Sequence, residues 1–352
     1  MEPDSSELRR LATIGLPGGI EQPVVARSLN ALLQHAQSER VLMQLHMAVA
    51  ENMVANATDD WRQQVREAAA HAAATTLATQ SQAATAVTRM RAAGVQPIVL
   101  KGVATAYLDY DRPFERWSSD ADLLVDFDDV DTVRQIFHER PQQPTRGRRW
   151  ADQFGHAITL ANDDNVHLDI HTRLTPGYIG NAIRGEELRK HRDAFEIGGV
   201  ELTALDGAGR LLHAALHART VGVSLQSHLD VPRLVLASKV DWRTAIERSI
   251  DWRIDYFFAL GIRSTWRCFD LPDHAILDWA DLHRPRGRQR LVQLVAGERP
   301  RGNMIAGPIA LPPSKWVPYS WPILFPPSDY AEAKNRNWRV NMGLLRSELR
   351  QR

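Results

Sequence analysis

Most of the chemistry in this chain lies in three short stretches, which read Pro97-Ile-Val-Leu-Lys101-Gly102, Arg116-Trp-Ser-Ser-Asp120-Ala-Asp122-Leu-Leu-Val125 and Val166-His-Leu-Asp169-Ile-His171. Each stretch combines the apolar residues of a buried strand with a few charged residues, so we expect three strands. Side chains alternate between the two faces of a strand, and Asp120 and Asp122 therefore share a face, opposite Leu123. The second strand thus carries a pair of neighbouring carboxylates.

This carboxylate pair indicates a metal site. Two carboxylates at this spacing repel each other unless a cation lies between them, and Mg²⁺ or Mn²⁺ would suit oxygen ligands. The apolar residues of the third strand form one face, which puts His167, Asp169 and His171 on the other. We expect Asp169 to join Asp120 and Asp122, so that one or two metal ions could align a nucleoside triphosphate with an attacking hydroxyl. Without metal, removing one charge from this cluster is expected to leave stability unchanged or raise it.

The same residues resemble the uncharacterised nucleotidyltransferase family of the polymerase-β-like superfamily. Members of that family carry a Leu-Lys-Gly strand end, an Arg before an Asp-x-Asp-Leu-Leu-Val strand, and a later strand with an acid-x-His ending. The corresponding residues here are Leu100-Lys101-Gly102, Arg116, Asp120-Ala-Asp122-Leu-Leu-Val125 and Leu168-Asp169-Ile-His171. The resemblance covers roughly residues 60–270 and implies an α+β fold, with a mixed sheet, flanking helices, an N-terminal helical pair and a C-terminal helical domain.

The resemblance also implies transfer of a nucleoside monophosphate from an NTP to a hydroxyl or similar acceptor of a small molecule, peptide or protein. The three carboxylates would be metal ligands and catalytic residues, and Asp169 would help to deprotonate the acceptor. The nucleotide-binding residues would be Lys101, Gly102, Arg116 and Ser119. Where the superfamily usually has Gly-Ser, this chain has Gly102-Val103. We therefore expect Lys101 to replace the missing hydroxyl at the triphosphate.

Composition sets broad limits on the function. The 352 residues are 44% hydrophobic, enough for two domains or one elaborated domain. Lys and Arg number 43 against 42 Asp and Glu, so the net charge argues neither for nor against nucleic acid. The single Cys268 excludes an internal disulfide, and its apolar neighbours predict a buried, inert thiol. The sequence has no long apolar run of the kind that predicts a membrane span or a signal peptide, and we therefore expect a cytoplasmic protein.

The pattern along the chain predicts four regions. They are an N-terminal helical region (1–94), a nucleotidyltransferase core (95–205), a helical domain (206–300), and a Pro- and aromatic-rich strap with a terminal helix (301–352). The strap has too many prolines for a regular helix, and we expect it to lie as an ordered segment on the surface.

Cap and turn residues predict several element boundaries. Residues 24–93 contain no Gly or Pro and repeat apolar residues at helical spacing, which predicts two long helices. Thr58 is expected to cap the second of them and Gly94 to follow its end. Gly198-Gly199 predicts a two-residue hairpin turn, and Asp206 predicts the cap of the first helix beyond the sheet. The N-terminal helices could pack internally or form a homodimer face.

Other motifs are weaker. His213 and His217 are one helical turn apart, but Ala214 stands where a metalloprotease helix needs Glu, so we expect packed or hydrogen-bonded histidines rather than zinc ligands. The chain has no P-loop and no Gly-x-Gly-x-x-Gly after a strand, which argues against a P-loop or Rossmann nucleotide site.

Two alternative functions remain open at this stage. The first is nucleotide addition to an RNA end, with the phosphates bound by Arg146, Arg148, Arg149 and the basic segment Arg284–Arg290. The second is a non-catalytic module that binds nucleotide and assembles through the N-terminal helices. Nucleic acid is the less favoured acceptor.

Overall fold

A mixed six-stranded sheet lies at the centre of the protein. The computed structural model describes residues 4–137, 154–161, 167–219, 224–237, 240–269, 271–297 and 306–324. The strands are β1 (Ile98–Val99), β2 (Ala121–Leu124), β3 (Ala157–Ala161), β4 (His167–His171), β5 (Arg192–Ile197) and β6 (Val200–Leu205). Their order across the sheet is β3-β4-β2-β1-β6-β5. With the flanking helices, this sheet confirms the predicted α+β class.

Fifteen α-helices surround the sheet in the described ranges. They are α1 (Asp4–Ala12), α2 (Leu29–Ser38), α3 (Leu42–Ala50), α4 (Asp59–Ala92), α5 (Lys101–Asp109), α6 (Val130–Ile136), α7 (Gly177–Ala182), α8 (Gly185–Lys190), α9 (Gly207–His217), α10 (Leu225–Leu236), α11 (Trp242–Asp251), α12 (Asp255–Cys268), α13 (Ala275–Leu282), α14 (Arg288–Ala296) and α15 (Trp316–Leu324). Within those ranges, no helix combines the length and the apolar composition that crossing a bilayer requires.

The N-terminal region contains three helices between residues 24 and 93, so the prediction of two was wrong. The connection between α2 and α3 contains neither Gly nor Pro. The chain changes direction there at Arg40, whose backbone is left-handed with φ +58°. The boundaries of α4 follow the prediction. Thr58 Oγ1 accepts a hydrogen bond from the backbone N–H of Trp61 at 3.3 Å, and Gly94 follows the helix at φ +85°.

Three apolar clusters hold these elements together. The second half of α4 packs with α5 and α6 on one face of the sheet, against residues such as Leu123 and Ile170. The helices from α7 to α14 pack on the other face, which presents Leu124. The third cluster joins α1, α2, α3 and the first half of α4 to α10 through Leu225 and Leu229. Helix α10 therefore contacts both the N-terminal helices and the helices over the sheet.

The register of the sheet brings the three charged stretches together. Strands β2 and β4 are parallel neighbours, and Asp122 lies directly opposite Asp169. On the other side of β2, β1 runs antiparallel, and the N–H of Leu100 donates to the Asp122 carbonyl oxygen at 2.9 Å. Lys101 follows immediately, so its side chain starts beside the carboxylate of Asp122.

The sheet contains two hairpins, and the predicted one at Gly198-Gly199 is confirmed. Strands β3 and β4 pair antiparallel, and β5 and β6 pair through Gly198 and Gly199, both with positive φ, as a two-residue turn requires. The predicted cap of α9 is also confirmed, because Asp206 Oδ1 accepts from the N–H of Gly209 at 3.0 Å.

The Pro-rich tail differs from its prediction. Helix α15 forms in spite of its prolines, although the sequence was expected to exclude a regular helix there. Pro318 lies in the first turn, where backbone N–H groups have no partner within the helix, so the missing N–H costs nothing there. The predicted terminal helix at residues 330–350 lies outside the described residues.

Candidate active site

A polar cleft of about 600 Å³ opens at the edge where the charged stretches meet. Lys101, Asp120, Asp122 and Asp169 line its floor. The end of α9, the start of α10 and the connection between α2 and α3 form its walls. We call this space the acid cleft. The helices beyond residue 206 thus cover the side of the sheet that carries the aspartates.

Asp122 is the most enclosed carboxylate of the cleft, with 5% of its surface exposed. Its Oδ1 accepts a hydrogen bond from Lys101 Nζ at 2.8 Å, and His171 Nε2 lies 2.8 Å from the same oxygen. Burial by itself would raise the pKa of Asp122, but the Lys101 charge and the His171 hydrogen bond outweigh it and hold that pKa well below its usual range. The protein itself therefore supplies a cation, the Lys101 ammonium group, that neutralises Asp122.

A group of three side chains in the cleft could hold a divalent metal ion. Asp122, Asp169 and His171 bring one donor atom each within 4.8 Å of one another. Oδ1 of Asp169 also accepts a hydrogen bond from Thr159 Oγ1 at 2.7 Å, which orients that carboxylate. Two carboxylates and one imidazole fit a divalent cation that takes oxygen ligands and tolerates nitrogen.

The metal-donor group differs from the predicted set by one residue. Asp120 lines the cleft but is not part of this group; it is partly exposed just before β2, with Ser119 Oγ 3.4 Å from its Oδ1. His171 takes the third place. The sequence contained a signal for it, because Asp169 and His171 share a strand face two residues apart.

Arg116 is buried beside the cleft and is held by Asp230 of α10. Its Nε and Nη2 donate to the two carboxylate oxygens of Asp230 at 2.9 and 2.6 Å. Burial by itself would lower the pKa of Arg116, but the charge of Asp230 outweighs it and raises that pKa. Tyr110 also donates to Asp230, at 3.0 Å. The remaining terminal nitrogen, Nη1, donates to Oγ of Ser118 at 3.4 Å, and Ser118 lines the cleft.

The backbone around Lys101 and Gly102 is tightly constrained. Lys101 has φ +39°, a left-handed conformation that is strained for a residue with a side chain. A Cβ added at Gly102 would lie 2.6 Å from Ser118 Oγ and 2.9 Å from Arg116 Nη1. Glycine is therefore required where the start of α5 approaches these two residues. Ser118 lines the cleft, whereas the predicted Ser119 is exposed beside it.

Three histidines near the acid cleft, His156, His213 and His217, have lowered pKa values. The pKa of His217 is lowered to about 3, mainly by burial and to a smaller extent by the charge of Lys101. The pKa of His156 is also lowered to about 3, mainly by burial and to a smaller extent by His171. Burial also lowers the pKa of His213, whose Nε2 has no hydrogen-bond partner in the part of the chain that the structure describes. Among those residues, the group of Asp122 and its neighbours is the one set of three metal donors, so His213 and His217 have no third zinc ligand.

Sequence reasoning missed the walls of the cleft. They include Glu39, Arg40, Ser224, Gln226 and Ser227. No local pattern marks these residues, because they come together only when α2 and α10 pack against each other.

Comparison with known protein families identifies the family of this chain. A search of curated proteins finds none that matches this chain. The sequence model of a family described as uncharacterised nucleotidyltransferase matches residues 26–270, well over half of the chain and all three charged stretches. The chain therefore belongs to the uncharacterised nucleotidyltransferase family and is a nucleotidyltransferase.

Proposed function

We propose that the protein moves a nucleoside monophosphate from an NTP to a hydroxyl or similar acceptor on a small molecule, peptide or protein, with Mg²⁺ or Mn²⁺ bound. The observation that supports this proposal best is the alignment of Asp122 with Asp169, next to His171, on the floor of the acid cleft. A bound divalent ion would offset the negative charge of the triphosphate and orient its α-phosphate.

The residues of the cleft have distinct roles in this proposal. Asp122, Asp169 and His171 would hold the metal, and the 2.8 Å contact of His171 Nε2 with Asp122 Oδ1 fixes the orientation of that carboxylate. Asp169 accepts the proton of the acceptor hydroxyl as that oxygen forms a bond to the α-phosphorus. The bond between the α-phosphorus and the bridging oxygen breaks, and pyrophosphate leaves with the electron pair.

Lys101 has two successive partners in this scheme. In the metal-free protein its ammonium group neutralises Asp122, and about one fifth of its side chain is exposed toward the cleft. With nucleotide and metal bound, the Lys101 ammonium group would leave the carboxylate of Asp122, which would serve as a metal ligand. The ammonium group is then free to bind a phosphate oxygen, as expected for a lysine beside a phosphoryl-transfer site.

The acceptor class is argued from the basic residues near the cleft. No arginine of the basic segment 284–290 lines the acid cleft, and residues 146–149 lie outside the described residues. The described walls contribute Arg40 and Arg116 but no continuous row of arginines for an RNA backbone, which supports an acceptor other than nucleic acid. A homo-oligomer formed through the N-terminal helices stays a prediction. The buried apolar residues of α2 and α3 pack against other helices of the same chain.

The decisive experiment compares two positions of the label in the NTP. The protein is incubated with each α-³²P- or γ-³²P-labelled NTP, Mg²⁺ or Mn²⁺, and cell extract, and the labelled products are identified by mass analysis. Nucleotidyl transfer predicts stable labelling from the α position and none from the γ position; the reverse would indicate phosphoryl transfer and refute the proposal.

Matched variants link the activity to the site. Asp169→Asn should abolish labelling, whereas Asp131→Asn, a control at an exposed aspartate of α6 paired with Arg134, should label as the wild type does. Absence of both labelling and NTP binding in the wild-type protein would favour the non-catalytic module.

A further inference from the structure

Arg40 is a basic residue of the acid cleft that belongs to the N-terminal helices rather than to the sheet. The other two basic residues of the lining are already engaged. Lys101 pairs with Asp122 at 2.8 Å, and Arg116 pairs with Asp230 at 2.6 Å. The guanidinium group of Arg40 makes no hydrogen bond or ion pair with any residue that the structure describes. It is thus the uncommitted cation of the described cleft.

The backbone of Arg40 points to a role for its side chain. Arg40 lies just after the end of α2 and has a φ of +58°. The N–H of Val41 donates to the Ala36 carbonyl oxygen at 2.9 Å and closes the turn. Glycine is the residue that ordinarily occupies such a position, because it has no Cβ to clash there. An arginine is strained in this conformation, and Arg40 shares a positive φ with Lys101, which lines the same cleft.

Neighbouring contacts fix the position of Arg40 at the cleft. Glu39 Oε2 accepts from the N–H of Leu225 at 2.7 Å, and the Glu39 carbonyl oxygen accepts from the N–H of Gln226 at 3.2 Å. The carboxylate of Glu39 is thus bound at the start of α10. On the other side, Gln44 Nε2 donates to the carbonyl oxygen of Glu115 at 2.9 Å, next to Arg116 in the chain.

The charges of the cleft indicate what this cation binds. A triphosphate carries about four negative charges, whereas Arg116 stays paired with Asp230 and only the Lys101 ammonium group is released for the phosphates. In the reaction proposed above, the α-phosphate must lie at Asp122 and Asp169. The β- and γ-phosphates then extend toward another wall of the cleft. A guanidinium group donates to two phosphate oxygens at once, which suits this end of the nucleotide.

We infer that Arg40 binds the β- and γ-phosphates of the nucleotide and holds the departing pyrophosphate. The inference rests on the proposed nucleotidyl transfer and assigns to the N-terminal helices a part in nucleotide binding. The nucleotide-binding site is accordingly incomplete without α2 and the turn that follows it.

The test uses Arg40→Gly, which removes the side chain and relieves the left-handed backbone. The variant should fold at least as stably as the wild type. Its affinity for a non-hydrolysable NTP with an α,β-methylene group, measured by calorimetry with Mg²⁺ and no acceptor, should fall about tenfold or more. Its affinity for the corresponding NMP should not change. Arg40→Lys should recover part of the loss, because it restores the charge.

The control variant is Arg27→Ala, at an exposed arginine of the same region that lies 3.8 Å from Glu7 and does not line the cleft. It should bind the NTP as the wild type does. Unchanged NTP affinity in Arg40→Gly would overturn the inference, as would equal losses for NTP and NMP. A raised KM for the acceptor with unchanged NTP affinity would assign Arg40 to the acceptor and also overturn it. Absence of NTP binding in the wild type would refute the proposed function and this inference together.

Discussion

The substitution Asp122→Asn separates what the sequence predicts from what the structure predicts. From the sequence alone, removing one of several clustered charges should leave stability unchanged or raise it when metal is absent. In the structure, Asp122 is buried and bonded to both Lys101 and His171. The asparagine variant would leave the ammonium group of Lys101 without its counter-charge. The structure therefore predicts a loss of stability.

The magnitude follows from the burial of the pair. Removing one partner of a fully buried ion pair costs about 3–5 kcal/mol, because the other charge is left unpaired in a poorly solvated place. Lys101 is 20% exposed and its long side chain can turn toward solvent. We therefore expect Asp122→Asn to lower the free energy of unfolding by about 2–3 kcal/mol at pH 7.

Urea unfolding in the presence of a chelator measures this difference, and its pH dependence identifies the cause. The pKa of Asp122 is depressed in the folded protein and about 3.9 in the unfolded chain. The carboxylate thus contributes its full stabilisation above about pH 5 and loses it as the pH falls below about 4. The difference between the two proteins should be largest at neutral pH and should shrink in acid.

A double variant provides the control for this prediction. Asp122→Asn combined with Lys101→Met leaves no unpaired buried charge, and it should recover part of the stability that the single variant loses. An Asp122→Asn protein as stable as the wild type at pH 7 in chelator would refute the reasoning. So would a deficit that stays constant as the pH is lowered from 7 to about 2, the range in which the carboxylate loses its contribution.

Three further substitutions test other parts of the site. Gly102→Ala should lower the free energy of unfolding by about 1–3 kcal/mol in urea titrations, because its Cβ would crowd Ser118 and Arg116; unchanged stability would contradict the close approach. His217 is neutral in the folded protein but protonates below about pH 6.5 in the unfolded chain, so the free energy of unfolding decreases as the pH falls below that value. The His217→Gln variant lacks this contribution, and its Tm should therefore decrease less than that of the wild type between pH 7 and 5 in thermal scans. Cys268 is half-buried with a raised thiol pKa, and Cys268→Ser should label acceptors at the wild-type rate; loss of labelling in a folded protein would give the thiol a catalytic role.

The sequence determined the local features of the fold. The caps at Thr58 and Asp206, the hairpin turn at Gly198-Gly199 and the shared strand face of Asp169 and His171 were all predictable. Each depends on residues only a few positions apart, whose backbone preferences act within a single helix end, turn or strand. The break after α2 was missed because an arginine makes a turn that glycine ordinarily makes.

Only the tertiary structure decided the partners of the charged residues. Lys101 and Asp122 are 21 residues apart, and Arg116 and Asp230 are 114 apart, yet both pairs are in direct contact. Arg40 reaches the cleft because α2 and α10 pack together. The sequence specifies which charges exist, but a charged side chain pairs with whichever group the packed core brings within a few ångströms. That distance is set by contacts between residues that are far apart in the chain.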